Sequence, residues 1–237
     1  NMFNFENIFA NITYTRQLEA VKNRALLIDV NQISSAENMN SNFPDETFSA
    51  SGNYGRSFAR YYKANFRAGF NWSKSNNIRV YQDGDANPNN NPSEIQTIES
   101  YSQSYNLSFS TNYKTLPNLT VGYNFSINDN FSDVIYIDSP TVTLEYFFLD
   151  AFSFVSEYSY FHNRNKAKTI DSEYDFLTAS LLYQKKGSKW EWKLSGTNLL
   201  DTKSLDTNSF IQLGGTSSFS SYRVQPRFVI LSLKYTL

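Results

Sequence analysis

The sequence has no cysteine. That excludes disulfides and thiolate metal sites, and it does not conflict with an envelope location, where disulfides are permitted but not required. No run of 18 or more apolar residues occurs, so no helix crosses a membrane. Charge of one sign is not in excess: 21 Lys and Arg against 22 Asp and Glu leave a net charge of -1, which gives no case for nucleic acid as a partner. A single histidine, His162, limits acid–base chemistry to one position. The first residues lack the basic and apolar regions of a signal peptide. An exported protein carries one when it is made, so the expectation is a mature chain or the C-terminal part of a longer polypeptide.

Aromatic residues are abundant. Seventeen Tyr, twenty Phe and three Trp bring the aromatic share to 17 %, a composition suited to strands and to membrane–water interfaces. A hydropathy scan does not reveal a β-barrel, because half of its strand residues face the lumen.

Alternation at period two carries the fold. In the last stretch, Val229, Leu231, Leu233, Tyr235 and Leu237 share one face, and Ser232, Lys234 and Thr236 share the other. The clearest case is Ala64, Phe66, Ala68, Phe70 and Trp72 against Lys63, Asn65, Arg67, Gly69 and Asn71. Two cations on one face are costly in a dry core and cheap in a wet lumen. The pattern recurs near residues 105–113, 119–127, 142–148, 152–160, 177–183 and 190–194, and a first strand over 5–15 has Phe9 breaking its polar face.

Short connections alternate with long ones, at 17–45, 74–100, 129–140, 162–173 and 201–221. Outer-membrane barrels alternate in the same way between short periplasmic turns and long outer loops. Within 17–42, residues 25–30 fit a continued strand, while Leu18, Val21, Ala25 and Ile28 fit a helical face. The expected fold is all-β: one transmembrane antiparallel up-and-down β-barrel segment over 1–237, with about ten strands. Aromatic girdles are expected near the short turns (Tyr61, Tyr113, Phe148, Trp190) and near the long loops (Trp72, Tyr101, Tyr136, Tyr160, Tyr174). A soluble β-sandwich is the alternative.

Three stretches carry a family resemblance: KWEWKLSGTNLLDTK (189–203), the terminal YRVQPRFVILSLKYTL and the hairpin strand LTVGYNFSI. With them the chain resembles the large outer-membrane barrels of Bacteroidota, which include TonB-dependent receptors. The resemblance implies the C-terminal part of a larger barrel in the bacterial outer membrane that transports or binds solutes and is not an enzyme. It further implies contact with outer-membrane lipids and with envelope protein partners. No plug domain and no segment for an energy-transducing partner accompany it, and Leu237 stands where the family usually ends on an aromatic. Two rival functions are a scaffold barrel that holds partner proteins and an outer-membrane hydrolase.

Residues 83–94 (DGDANPNNNPSE) place Asp83, Asp85, Asn87, Asn89, Asn91 and Glu94 at the oxygen-ligand spacing of a twelve-residue calcium loop. Pro88 stands where such a loop has glycine, and a solvated Asn-rich loop is the competing reading. His162 is followed by Asp171, Glu173 and Asp175, but no spacing marks a complete catalytic set, so the expectation is no catalytic residue. Lys63, Arg67, Arg56 and Lys193 fit either a cation-lined wall or ion pairs with inward Glu145 and Glu157.

Overall fold

The computed structural model describes residues 5–19, 21–29, 32–81, 93–130, 133–166, 168–211 and 216–236. Among them there is no helix. The strands are β1 (Phe5–Gln17), β2 (Val21–Asp29), β3 (Gln32–Asn40), β4 (Asp45–Phe58), β5 (Tyr62–Tyr81), β6 (Ser93–Thr111), β7 (Asn118–Asn130), β8 (Asp133–Phe148), β9 (Phe152–Asn165), β10 (Asp171–Tyr183), β11 (Trp190–Thr197), β12 (Ser204–Ile211), β13 (Thr216–Arg223) and β14 (Phe228–Tyr235). Ten of them form one up-and-down antiparallel sheet in chain order, β1-β4-β5-β6-β7-β8-β9-β10-β11-β14. The β2–β3 hairpin is inserted after β1, and β12–β13 forms its own two-stranded sheet before β14.

Alternation builds this sheet because each apolar residue pairs with another across the strand boundary. The row Ile8–Tyr54–Phe66–Leu107–Tyr123 crosses five strands on one face. The adjacent row Asn7–Gly55–Asn65–Ser108–Gly122–Thr141 crosses six on the other. A slip of one residue anywhere would exchange the faces.

The connections expected as long loops are mostly strand. Of the two readings of the first connection the strand holds and the helical face does not: Val21–Asp29 and Gln32–Asn40 pair as the β2–β3 hairpin, and β2 pairs in parallel with the far end of β5, Arg24 opposite Ile78. β5 runs on to Tyr81, β6 begins at Ser93, and β7 and β8 continue through most of 129–140. Beyond the apolar band both faces of a strand are polar, so the two-residue period that marks a strand in the sequence disappears.

Two short turns have left-handed backbone at both central positions without glycine: Ala59 and Arg60 (φ 48° and 67°), and Leu149 and Asp150 (φ 52° and 54°). That is the twist of the two-residue hairpin turns which match flanking strands, usually made by Asn-Gly. In the second turn Ala151 N donates to Phe148 O at 3.4 Å.

The all-β antiparallel up-and-down sheet of ten strands is as expected, and it is open: β1 and β14 end the strand order and do not pair with each other, so the described residues form no closed barrel. The sheet is also strongly staggered. The row from Phe5 passes through Ser57, Lys63, Ser110, Thr120, Thr143, Glu157 and Thr178. The row one step along, Ala179–Gly196–Val229, reaches β14 at its second residue. The turn end of β1 is therefore level with the opposite end of β14. Such an offset is what a sheet of tilted strands accumulates.

Almost nothing is buried. Among the described residues, Val80 and Ile98 are the only buried hydrophobic side chains, and both lie in the far extensions of β5 and β6. Among the described residues no second layer lies over the apolar face of the ten strands.

Candidate functional site

The two faces of the sheet are the functional feature, and they are built differently. On the apolar face Ile12 is 72 % exposed, Leu107 53 % and Leu231 65 %. Its margin is ordered. The row Tyr14–Phe48–Trp72–Tyr101 is aromatic throughout, and the next row outward, Arg16–Glu46–Lys74–Glu99, alternates in charge. Arg16 Nε lies 3.2 Å from Glu46, and Lys74 Nζ lies 2.8 Å from Glu99. The hydrogen bond and charge of Glu99 hold the Lys74 ammonium above its ordinary pKa.

At the short-turn end a second aromatic margin forms. Tyr61 and Tyr113 are 5.1 Å apart, Phe148 and Phe152 5.3 Å, Phe152 and Tyr183 4.7 Å, and Trp190 and Tyr235 4.7 Å. Neither margin follows a pairing row. Asp175 on β10 extends the row of Pro140 and Ile8, yet Ile8 sits within the apolar face of β1. At the other end, the apolar residues of β14 run on to Tyr235, past the row of Phe5. The apolar band thus crosses the strands obliquely, in step with the stagger.

The polar face carries Asn, Ser, Thr and Gly at close quarters. Asn65 Nδ2 donates to Ser108 Oγ at 3.4 Å, and Asn106 donates to Asn124. A Cβ on Gly55 would meet Asn7 Oδ1 and, at 2.7 Å, Asn65 Oδ1, so a side chain here would have to displace both amides. Lys63, Arg67 and Lys193 lie on this face as expected, and so do Glu145 and Glu157, but the expected ion pairs between the two groups are not made. Arg56 is corrected to the apolar face: it pairs with Glu6 and Ala64 in register, one step from Tyr54. Tyr174 is corrected to the polar face, where it stacks on Phe161 at 4.8 Å and meets Phe176 edge-on.

His162 sits on the outward extension of the apolar face, opposite Asp138 and Glu173. Its Nε2 lies 2.6 Å from Asp171 Oδ1, and its Nδ1 lies 3.1 Å from an Arg164 guanidinium nitrogen. The guanidinium can only donate, so Nδ1 accepts and Nε2–H donates to Asp171. Arg164 also pairs with Asp138, which accepts from Tyr123, and Tyr160 donates to Glu173 at 2.9 Å. Both ring nitrogens are engaged in a surface network.

Of the calcium-loop residues, Asp83, Asp85, Asn87, Asn89 and Asn91 lie outside the described residues. Glu94 is in β6 opposite Arg79, and its side chain is likewise outside the description. Among the described residues no group of three or more His, Asp or Glu is placed to hold a metal ion.

Asn198 lies in the stretch 189–203 and holds the corner between β11 and β14. It is 1 % exposed with φ 52°. Its Nδ2 donates to Thr202 O at 2.8 Å and Gln225 O at 3.0 Å, and its Oδ1 accepts from Thr202 N at 2.9 Å. One side chain therefore ties the end of β11 to the segment entering β14. Asn suits it because Asn tolerates the left-handed region and brings both donors and an acceptor. The signal available in the sequence was the Thr-Asn-Leu-Leu-Asp run directly after an alternating strand, a turn composition with a capping amide. Compared with protein-family models, curated proteins and solved structures, the chain matches none.

Proposed function

We propose that this chain is a wall of an outer-membrane β-barrel that transports or binds solutes, with its apolar face toward lipid and its polar face toward a water-filled lumen. The observation that carries the reading is the uncovered apolar face of ten consecutive strands. An apolar patch on a water-soluble monomer is usually a few hundred Å2 at most, and a sandwich would need a second sheet that the ten strands do not supply. The oblique band with aromatic margins supports it, because tilted strands cross a flat apolar slab at an angle to their pairing rows.

In that setting the free edges of β1 and β14 have to be paired, with each other or with further strands of a larger barrel, since unpaired backbone groups are not tolerated in hydrocarbon. In a ten-strand antiparallel order the first and last strands run in opposite directions, so antiparallel closure is open to β1 and β14. Solute transport rests on the family resemblance and on the polar wall. His162, with both nitrogens engaged, gives a hydrolase reading no support.

The test uses the full-length native protein in two stages. Fractionation without detergent should leave it in the membrane pellet, and reconstitution into liposomes should produce solute flux. Partition into the aqueous phase would overturn the barrel. Membrane residence without flux, with stable co-purifying proteins, would replace transport by a scaffold role.

A further inference from the structure

We propose that the polar wall carries a subsite for oxyanionic solutes, carboxylate- or phosphate-bearing, centred on Arg67; the inference rests on the barrel reading above. Arg67 lies mid-strand in β5, in register with Asn53 on one side and Asn106 on the other, and the row continues through Asn124 to Ser139. Its side chain is exposed and forms no ion pair with a described residue; the cations that do are Arg16, Lys22, Lys74, His162 and Arg164.

The rows on either side hold no carboxylate. One is Ser51–Gly69–Ser104–Ser126, and the other is Gly55–Asn65–Ser108–Gly122. The guanidinium charge is therefore uncompensated across about four strands, or roughly 15 Å of wall at about 4.8 Å per strand. Around it stand neutral amides and hydroxyls that donate hydrogen bonds.

Space is present on both sides. One depression of about 130 Å3 is lined by Arg67 with Ser104, Asn106, Asn124 and Ser126, and also by Ile137, Tyr105 and Phe125, so it joins polar groups to an apolar flank. A second, of about 400 Å3, is lined by Arg67, Ser51, Asn53 and Phe9. Gly69, the next residue of this face beyond Arg67, has no side chain to fill the space, and Ser104 Oγ lies 2.8 Å from where its Cβ would stand. The hydroxyl thus leans over the strand that carries the guanidinium.

An arginine fork matches the two oxygens of a carboxylate or phosphate, and flanking amides complete the hydrogen bonds that water would otherwise make. Phe9, which like Phe5 is an apolar residue on the polar face of β1, closes the row at its far end and offers a surface for the carbon part of such a solute.

The test is calorimetric titration of the full-length protein in detergent micelles with gluconate, inorganic phosphate and neutral glucose. The variants are Arg67→Gln, Arg67→Lys and Lys63→Gln, the last a polar-face cation four residues along the same strand. The expected result is binding of an anion but not glucose, weakened roughly tenfold or more in Arg67→Gln. Arg67→Lys should keep part of it and Lys63→Gln all of it. Binding of only one anion supports the subsite and identifies its oxyanion. Wild-type protein that binds neither anion, or equal binding in wild type and Arg67→Gln, overturns the subsite. Liposome flux is read separately: flux without anion binding sinks this inference and leaves transport standing, and anion binding without flux does the reverse.

Discussion

The two faces of the same ten strands meet opposite requirements with the same backbone. On the polar face, side chains interlock: Asn7 and Asn65 crowd the place where Gly55 has no side chain, and Thr141 Oγ1 stands 2.5 Å from where a Gly122 Cβ would be. On the apolar face, side chains pair across strands but no described residue lies over them, and Leu107, Leu231 and Ile12 remain more than half exposed. One face is finished by its own hydrogen bonds, while the other is finished by whatever surrounds it. Packing within the sheet therefore says little about the stability of the apolar face, and the medium says most.

The largest expected effect comes from the outer end of the polar face, where Asp45 of β4 meets a buried cation of the β2–β3 hairpin. Lys22 is 2 % exposed and paired with Asp45, which also accepts from Asn76 N at 3.3 Å. Asp45→Ala strands that charge and should lower stability by about 3–5 kcal/mol, toward the smaller figure because the carboxylate is 30 % exposed. Urea unfolding in lipid vesicles measures it, and a loss under 1 kcal/mol would mean the hairpin does not depend on the pair.

The faces are compared directly by neighbours in one strand. Leu107→Arg should cost about 2–4 kcal/mol in vesicles, the figure for a cation at mid-bilayer on a lipid-facing site. Ser108→Arg, one residue along on the polar face, should cost less than half as much. Equal costs would remove the lipid assignment of the apolar face.

Asn198→Ala removes three hydrogen bonds to backbone from a buried corner and leaves Ala in the left-handed region. A loss of about 2–3 kcal/mol is expected. Asn198→Gly, which tolerates the backbone, should recover a part of that loss, and no recovery would show that the hydrogen bonds carry it all.

The smallest effect is a gain. Replacing Leu149 and Asp150 by Asn and Gly puts residues that accept positive φ into a turn already in that shape. About 1 kcal/mol of added stability is expected. A destabilised double variant would mean that Leu149, 78 % exposed, is held by a contact outside the described residues.

What was legible in the sequence follows from where the two-residue period survives. From 63–72 and 105–127 the alternation located strands and faces down to single residues, including Lys63 and Arg67 on the polar side. Arg56 was misplaced because chemistry was allowed to outrank parity: a cation next to a turn can lie on the apolar side, where it faces Glu6 across the pair. Tyr174 was misplaced for the converse reason, since an aromatic near the outer end can face inward when Phe161 is there to stack on. The β12–β13 hairpin has no apolar period to mark it, while the apolar run at 25–30 in β2 fits a strand and a helical face equally well, so local pattern could not choose between them.

The sequence by itself determined that the chain is all-β, that its strands are antiparallel neighbours, and which face of most strands is apolar, because side-chain period and connection length are local properties. Only the tertiary structure decided the stagger across ten strands, the open edges at β1 and β14, the uncovered apolar face and the row that isolates Arg67 among neutral amides. Those depend on register between strands up to hundreds of residues apart, and register is the sum of many pairings that no single stretch of sequence contains.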